Sequence, residues 1–116
     1  MKMTVIRTIM NVLPEKQKEV LQTLISLIET QGKETGCLSY GIFCDIEDKN
    51  IFNLISEWKT RKHLDLHIGS DGFGVLLGTK SLLCEPLTIQ IFTVSDTAGM
   101  EAVNSVRKNM KLIYPI

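Results

Sequence analysis

The chain has no surplus of charge, no pairable set of cysteines and no long apolar run. Thirteen acidic side chains balance thirteen basic ones across 116 residues. A balanced chain lacks the overall basic field that draws nucleic acid. No block of like charge points to an anionic membrane surface or an acidic substrate. Cys37, Cys44 and Cys84 are an odd number without a C-x-x-C pair. They read as free thiols in apolar segments rather than as a disulfide framework or a zinc site. No apolar stretch approaches the roughly 20 residues that span a bilayer. Lys2 and Arg7 interrupt the first twelve residues, and no small-residue cleavage site follows, so a signal peptide is not expected. The expected location is the cytoplasm. Repeats, linkers and low-complexity segments are also missing.

What is present is ordinary globular material, with 44% hydrophobic and 22% charged residues. The length fits one domain with a single core. Residues 1–96 read as that domain, and residues 97–116 as its extension, a short helix and an apolar tail. Thr4–Val12 alternates with frequent β-branched residues and predicts a strand. Pro14 suits a first helical turn, and Val20, Leu24, Leu27 and Ile28 recur at helical spacing up to Gly32. Cys37–Cys44 and Ile51–Trp58 predict two strands. The short polar connection Asp45–Asn50 makes them an antiparallel hairpin. Thr60 is placed to cap a helix through Leu64 and Ile68. A further helical piece is expected around Val75–Leu83, a fourth strand over Leu87–Val94, and a last helix over Met100–Met110, before the tail Leu112–Ile116.

The order is β-α-β-β-α-β, the ferredoxin-like arrangement of an α+β protein with a four-stranded antiparallel sheet. Helices cover one face of such a sheet. Yet neighbouring strand residues such as Ile51 and Phe52, Leu54 and Ile55, and Ile91 and Phe92 make both parities apolar. An open apolar face of that size calls for a second copy of the chain, packed sheet to sheet as a symmetric homodimer.

Gly36–Pro86 holds the most informative residues. Trp58 ends one strand, His67 lies on the next helix, and Phe73 lies in the Gly-rich segment beyond. His63 and His67 are four apart, but without a third ligand they do not make a metal site. The glycines from Gly69 to Gly78 follow a helix with the wrong spacing for a dinucleotide loop. The strand order, the Gly36-Cys37-Leu38-Ser39-Tyr40 stretch, the Glu57-Trp58 strand end and the sequence of Leu64, His67, Ser70, Phe73 and Pro86 together resemble the antibiotic biosynthesis monooxygenase family, over about residues 3 to 94. The resemblance implies a dimeric α/β barrel. It also implies small oxygenases that use no metal, flavin or haem and act with O2 on quinols or aromatic polyketides. It matches Trp58 and His67 to the family's tryptophan and histidine. Leu54 and Leu64 stand where the polyketide oxygenases carry an asparagine and a tyrosine. No histidine follows His67, which argues against haem degradation.

A cofactor-independent oxygenase needs an electron-rich substrate and a base. His67 suits the base, since an imidazole titrates near neutrality. Trp58, Phe73, Leu64 and Ile68 suit the walls of a pocket for a small aromatic molecule, with the indole N–H able to hold a substrate oxygen. Tyr40 and Asn53 are the candidate polar orienting groups, although Asn53 shares no strand face with Trp58 unless a bulge intervenes. The alternative is a non-catalytic ligand-binding or stress-response dimer on the same scaffold.

Overall fold

Alternation governs the first element. In the computed structural model, which describes residues 2–113, β1 covers Met3–Asn11 and alternates half-buried with buried side chains throughout. Pro14 opens a single 3-10 turn, and α1 follows over Gln17–Gln31, burying Val20, Leu24 and Leu27. Gly32 closes it by donating to the Ile28 carbonyl at 3.1 Å. β2 (Cys37–Cys44) and β3 (Ile51–Trp58) have the bounds read from the sequence. In their connection, Asp45 Oδ1 accepts the backbone N–H groups of Glu47 and Asp48 at 2.8 and 3.0 Å. Such a short acidic side chain turns the chain by taking donors that would otherwise extend the ladder.

α2 spans Arg61–Ile68, and Thr60 caps it by accepting from the His63 N–H at 3.2 Å. The next helix departs from the sequence reading. α3 covers Asp71–Leu77 and a 3-10 turn continues over Gly78–Leu82, where a helix was expected around Val75–Leu83. The reason is Ser70, whose Oγ accepts the Phe73 N–H at 3.2 Å and starts the helix earlier. Gly72 and Gly74 are therefore helical rather than turn residues. β4 is Thr88–Val94, and α4 runs over Met100–Ile113, longer than the expected Met100–Met110. The expected apolar tail begins inside α4, and residues 114–116 lie outside the described ones.

The four strands form one antiparallel sheet in the order β2-β3-β1-β4. This is the ferredoxin-like α+β fold. Registers such as Thr8↔Leu54 and Ile6↔Ile91 put the buried parity of β1 and β3 on the helix side. One core cluster lies there, containing Ile6, Met10, Val20, Leu24, Phe52, Leu54, Trp58, Leu64 and Phe73. The opposite face carries Val5, Ile9, Ile55, Phe92 and Phe43, the last about half exposed. At its centre Arg7 Nε donates to Asn53 Oδ1 at 2.9 Å. Among the described residues, no helix is long and apolar enough to cross a membrane.

Candidate functional site

The site is built where three chain reversals meet. Trp58 is the last residue of β3, and α2 begins three residues later, so its last turn returns His67 over the indole. The two rings stack at 4.4 Å between centroids and 24° between planes. Phe73, in the first turn of α3, stands edge-on to His67 at 5.3 Å. Tyr40 approaches edge-on from β2 at 6.1 Å.

Tyr40 reaches this cluster because β2 is irregular. Cys37 pairs with Trp58, but Ser39 pairs with Glu57, so two residues of β2 are passed for one of β3. Regular alternation would have turned Tyr40 to the open face. The extra residue, Leu38, is left 55% exposed, and the irregularity aims Tyr40 inward beside Ser56. Re-aiming a side chain is a recurring use of β-bulges.

Two residues not singled out from sequence complete the cluster. Glu34, between α1 and β2, places its carboxylate oxygens 3.3 and 3.4 Å from His67 Nδ1. Gln31, the last residue of α1, accepts the Tyr40 hydroxyl proton on Oε1 at 2.7 Å. Its Nε2 is buried without a partner. That amide lies so near Gly72 that a Cβ there would come within 2.7 Å of it. Gly36 makes the arrangement possible. Its φ is +85°, and an added Cβ would fall 2.2 Å from His63 Cγ. Only glycine meets both demands, and its carbonyl accepts the Lys59 N–H at 2.8 Å. The loop carrying Glu34 is thereby pinned to the junction that carries Trp58 and His67.

The electrostatics follow from this packing. Burial pushes the His67 pKa down, and the Glu34 hydrogen bond and charge oppose that shift. A carboxylate only accepts, so Nδ1 carries the hydrogen and Nε2 is the basic nitrogen. Burial and the Glu34 charge push the Tyr40 pKa up to about 12, which keeps the phenol a donor at neutral pH. His63 lies apart from this chemistry, with Nδ1 2.7 Å from Thr60 Oγ1. Among the described residues, no group of three His, Cys, Asp or Glu side chains is arranged to hold a metal ion.

Several sequence expectations are redirected. Asn53 lies on the opposite sheet face with Arg7 and does not join the cluster. The Trp58 N–H, expected to be available to a substrate oxygen, already donates to Ser56 Oγ at 2.9 Å. Leu64 is fully buried and Ile68 half-buried, both packed in the core beside α2. The cluster is also filled rather than hollow: Trp58, His67 and Phe73 are 0%, 2% and 3% exposed. Its outlets are the Glu34 side chain, 28% exposed, and the half-buried Tyr40. A groove of about 570 Å³ lies elsewhere, between α1 and the β2–β3 hairpin.

Comparison with known proteins shows which family and fold the chain resembles. The family model "Antibiotic biosynthesis monooxygenase" matches residues 3–76. The chain is 30% identical over 88 residues to the Bacillus subtilis protein named "Putative monooxygenase YcnE", covering 75% of this chain and 93% of that one. It is 29% identical over 85 residues to "Uncharacterized protein sll1783" of Synechocystis, covering 72% of this chain but 58% of the relative's length. Among solved structures, a conserved protein from Methanosarcina mazei Go1 superposes with a TM-score of 0.75 at 33% identity, covering 79% of this chain and 92% of that one. With the model matching well over half of its length, the chain belongs to the antibiotic biosynthesis monooxygenase family.

Proposed function

We propose that the protein is a monooxygenase that oxidises a small, electron-rich aromatic quinol with O2 and needs no bound cofactor, with His67 as the base. The observation that supports this reading most is a buried imidazole held neutral, with Nδ1 committed to Glu34 and Nε2 left basic. Nε2 removes a hydroxyl proton from the quinol. The quinolate passes one electron to O2, and the resulting superoxide recombines with a ring carbon. The proton returns from His67 to give a hydroperoxide. Loss of the hydrogen on that carbon with cleavage of the O–O bond releases water and leaves a carbonyl, which tautomerises, so quinol plus O2 becomes a hydroxyquinone plus water. The unpartnered Gln31 Nε2 is the donor available to a substrate oxygen. Because the cluster is filled, substrate displaces part of it, and the Glu34–Tyr40 side is its way in. The protein works as a homodimer, closing its apolar sheet faces against each other.

The test is oxygen uptake with a reduced naphthoquinol, using protein verified free of flavin and metal. His67→Phe keeps a stacking ring and removes the base. It is expected to lower turnover by about a hundredfold or more. Uptake no faster than the spontaneous rate overturns the reading.

One observation favours a second reading. The indole N–H that would hold a substrate oxygen is already satisfied by Ser56, which fits a non-catalytic ligand-binding dimer. Binding of an aromatic ligand without turnover separates the two.

A further inference from the structure

α4 lies beyond the residues matched by the family model, which end at 76, and no other element packs extensively against it. Ala102, Val103, Val106 and Met110 fall within one 100° arc of the helix, and the last three are each about half exposed. The same chain carries a matching hollow. Leu21, Ile25, Ile42 and Phe52 wall the groove between α1 and the hairpin, with Cys44 at its edge. Leu21 and Ile25 are 41% and 47% exposed. A 14-residue helix is about 21 Å long, long enough to fill such a groove with three turns.

We infer that α4 seats its apolar stripe in the α1–β2 groove of a second copy of this chain. The sheet register starts α4 far from its own groove, and in this structure no element of its own chain packs extensively against it. Val94, where β4 ends, pairs with Met3, at the end of the sheet that also holds Trp58 and Cys37. The groove lies at the other end, beside Cys44 and Phe52, and on the other edge strand. The two corners are diagonal, about 27 Å apart by strand spacing and rise. The five residues 95–99 reach at most about 17 Å, so within one chain only the far half of α4 would arrive at the groove, across the face that α1, α2 and α3 occupy. Two facing sheets can be related by a twofold axis that lies between them at about 45° to the strands. That axis brings the Val94 corner of one copy toward the groove corner of its partner, with strands crossing near 90°. α4 then has only to pass the partner's β2 edge.

Charge agrees with the seat. The turn beside the groove carries Asp45, Glu47 and Asp48, and the second half of α4 carries Arg107, Lys108 and Lys111.

This inference rests on the homodimer proposed above, and the experiment separates the two. Cys44 is exposed and lines the groove. In the full chain with Cys37→Ser and Cys84→Ser, Val106→Cys or Met110→Cys is introduced and the protein mildly oxidised. A disulfide forms only between Cα atoms within about 7 Å. A covalent dimer, lost on adding Cys44→Ser, is the expected result. A cross-link at monomer mass means that α4 folds back on its own chain and overturns the inference. No cross-link in a protein that sediments as a dimer also overturns it, while leaving the dimer intact. A monomer in sedimentation removes both.

Discussion

The two faces of the sheet carry similar amounts of apolar side chain and differ in what completes them. On the helix side, Trp58, Leu54, Phe52 and Met10 are covered by elements of their own chain and are almost fully buried. On the other side, Ile55, Val5 and Ile9 remain half-buried and Phe43 and Phe92 about half exposed, around the Arg7–Asn53 bond. The histidine, tyrosine, glutamine and carboxylate of the candidate site all lie toward the helix side. The ring-bearing residues of the site are thus placed where one chain controls their surroundings, while the other face, which also holds Arg7, Asn53 and Glu57, stays open in the single chain.

The contrast breaks most visibly at Trp58. Trp58→Ala removes a fully buried aromatic and is expected to cost about 3–5 kcal/mol in urea unfolding. Ile55→Ala on the open face costs well under half of that when measured at protein concentrations low enough to keep chains apart. Equal costs would mean that the two faces are equally committed to the monomer fold.

A smaller effect sharpens how the helix side is held. Thr60→Ala removes the cap of α2 and is expected to cost about 1 kcal/mol. The loss should extend to the His67–Glu34 contact, seen as a change in the imidazole NMR shifts. A cap that mattered only locally would leave those shifts unmoved.

The finest test is pH. The His67 pKa in the folded protein lies below its ordinary 6.5 because burial disfavours the charged ring. Above about pH 6.5 both folded and unfolded chains hold a neutral imidazole, and the full contribution to stability is present. Below it the unfolded chain takes the proton first, and stability falls as pH drops through the folded value. His67→Phe should flatten that part of the melting-temperature profile. A wild-type profile already flat between pH 6.5 and 5 would contradict a desolvated His67.

Much of the scaffold could be read from residues alone. β2 and β3 have the bounds their composition and turn predict, because alternation, β-branching and an acidic turn agree there. Thr60 likewise announces α2. α3 starts earlier than its apolar spacing suggests, because Ser70, three residues before Phe73, caps it and the glycines inside it carry no helical signal. The site itself was half legible. Trp58, His67 and Phe73 stood out as rare ring-bearing residues at element ends. Glu34 and Gln31 did not, since their place depends on Gly36 reversing the chain with a positive φ. Tyr40 is legible as a polar candidate, but its inward aim depends on the bulge at Leu38, which alternation cannot reveal.

The pairing of Trp58 with His67 has one more consequence. The chain contains one tryptophan, and it stacks on the imidazole that the proposed chemistry uses. All indole emission from this protein therefore originates in the candidate site. A charged imidazolium quenches an indole by contact, and an aromatic ligand sliding in beside it changes the ring's polarity. The molecule thus carries a built-in lamp whose brightness follows the protonation of its own base.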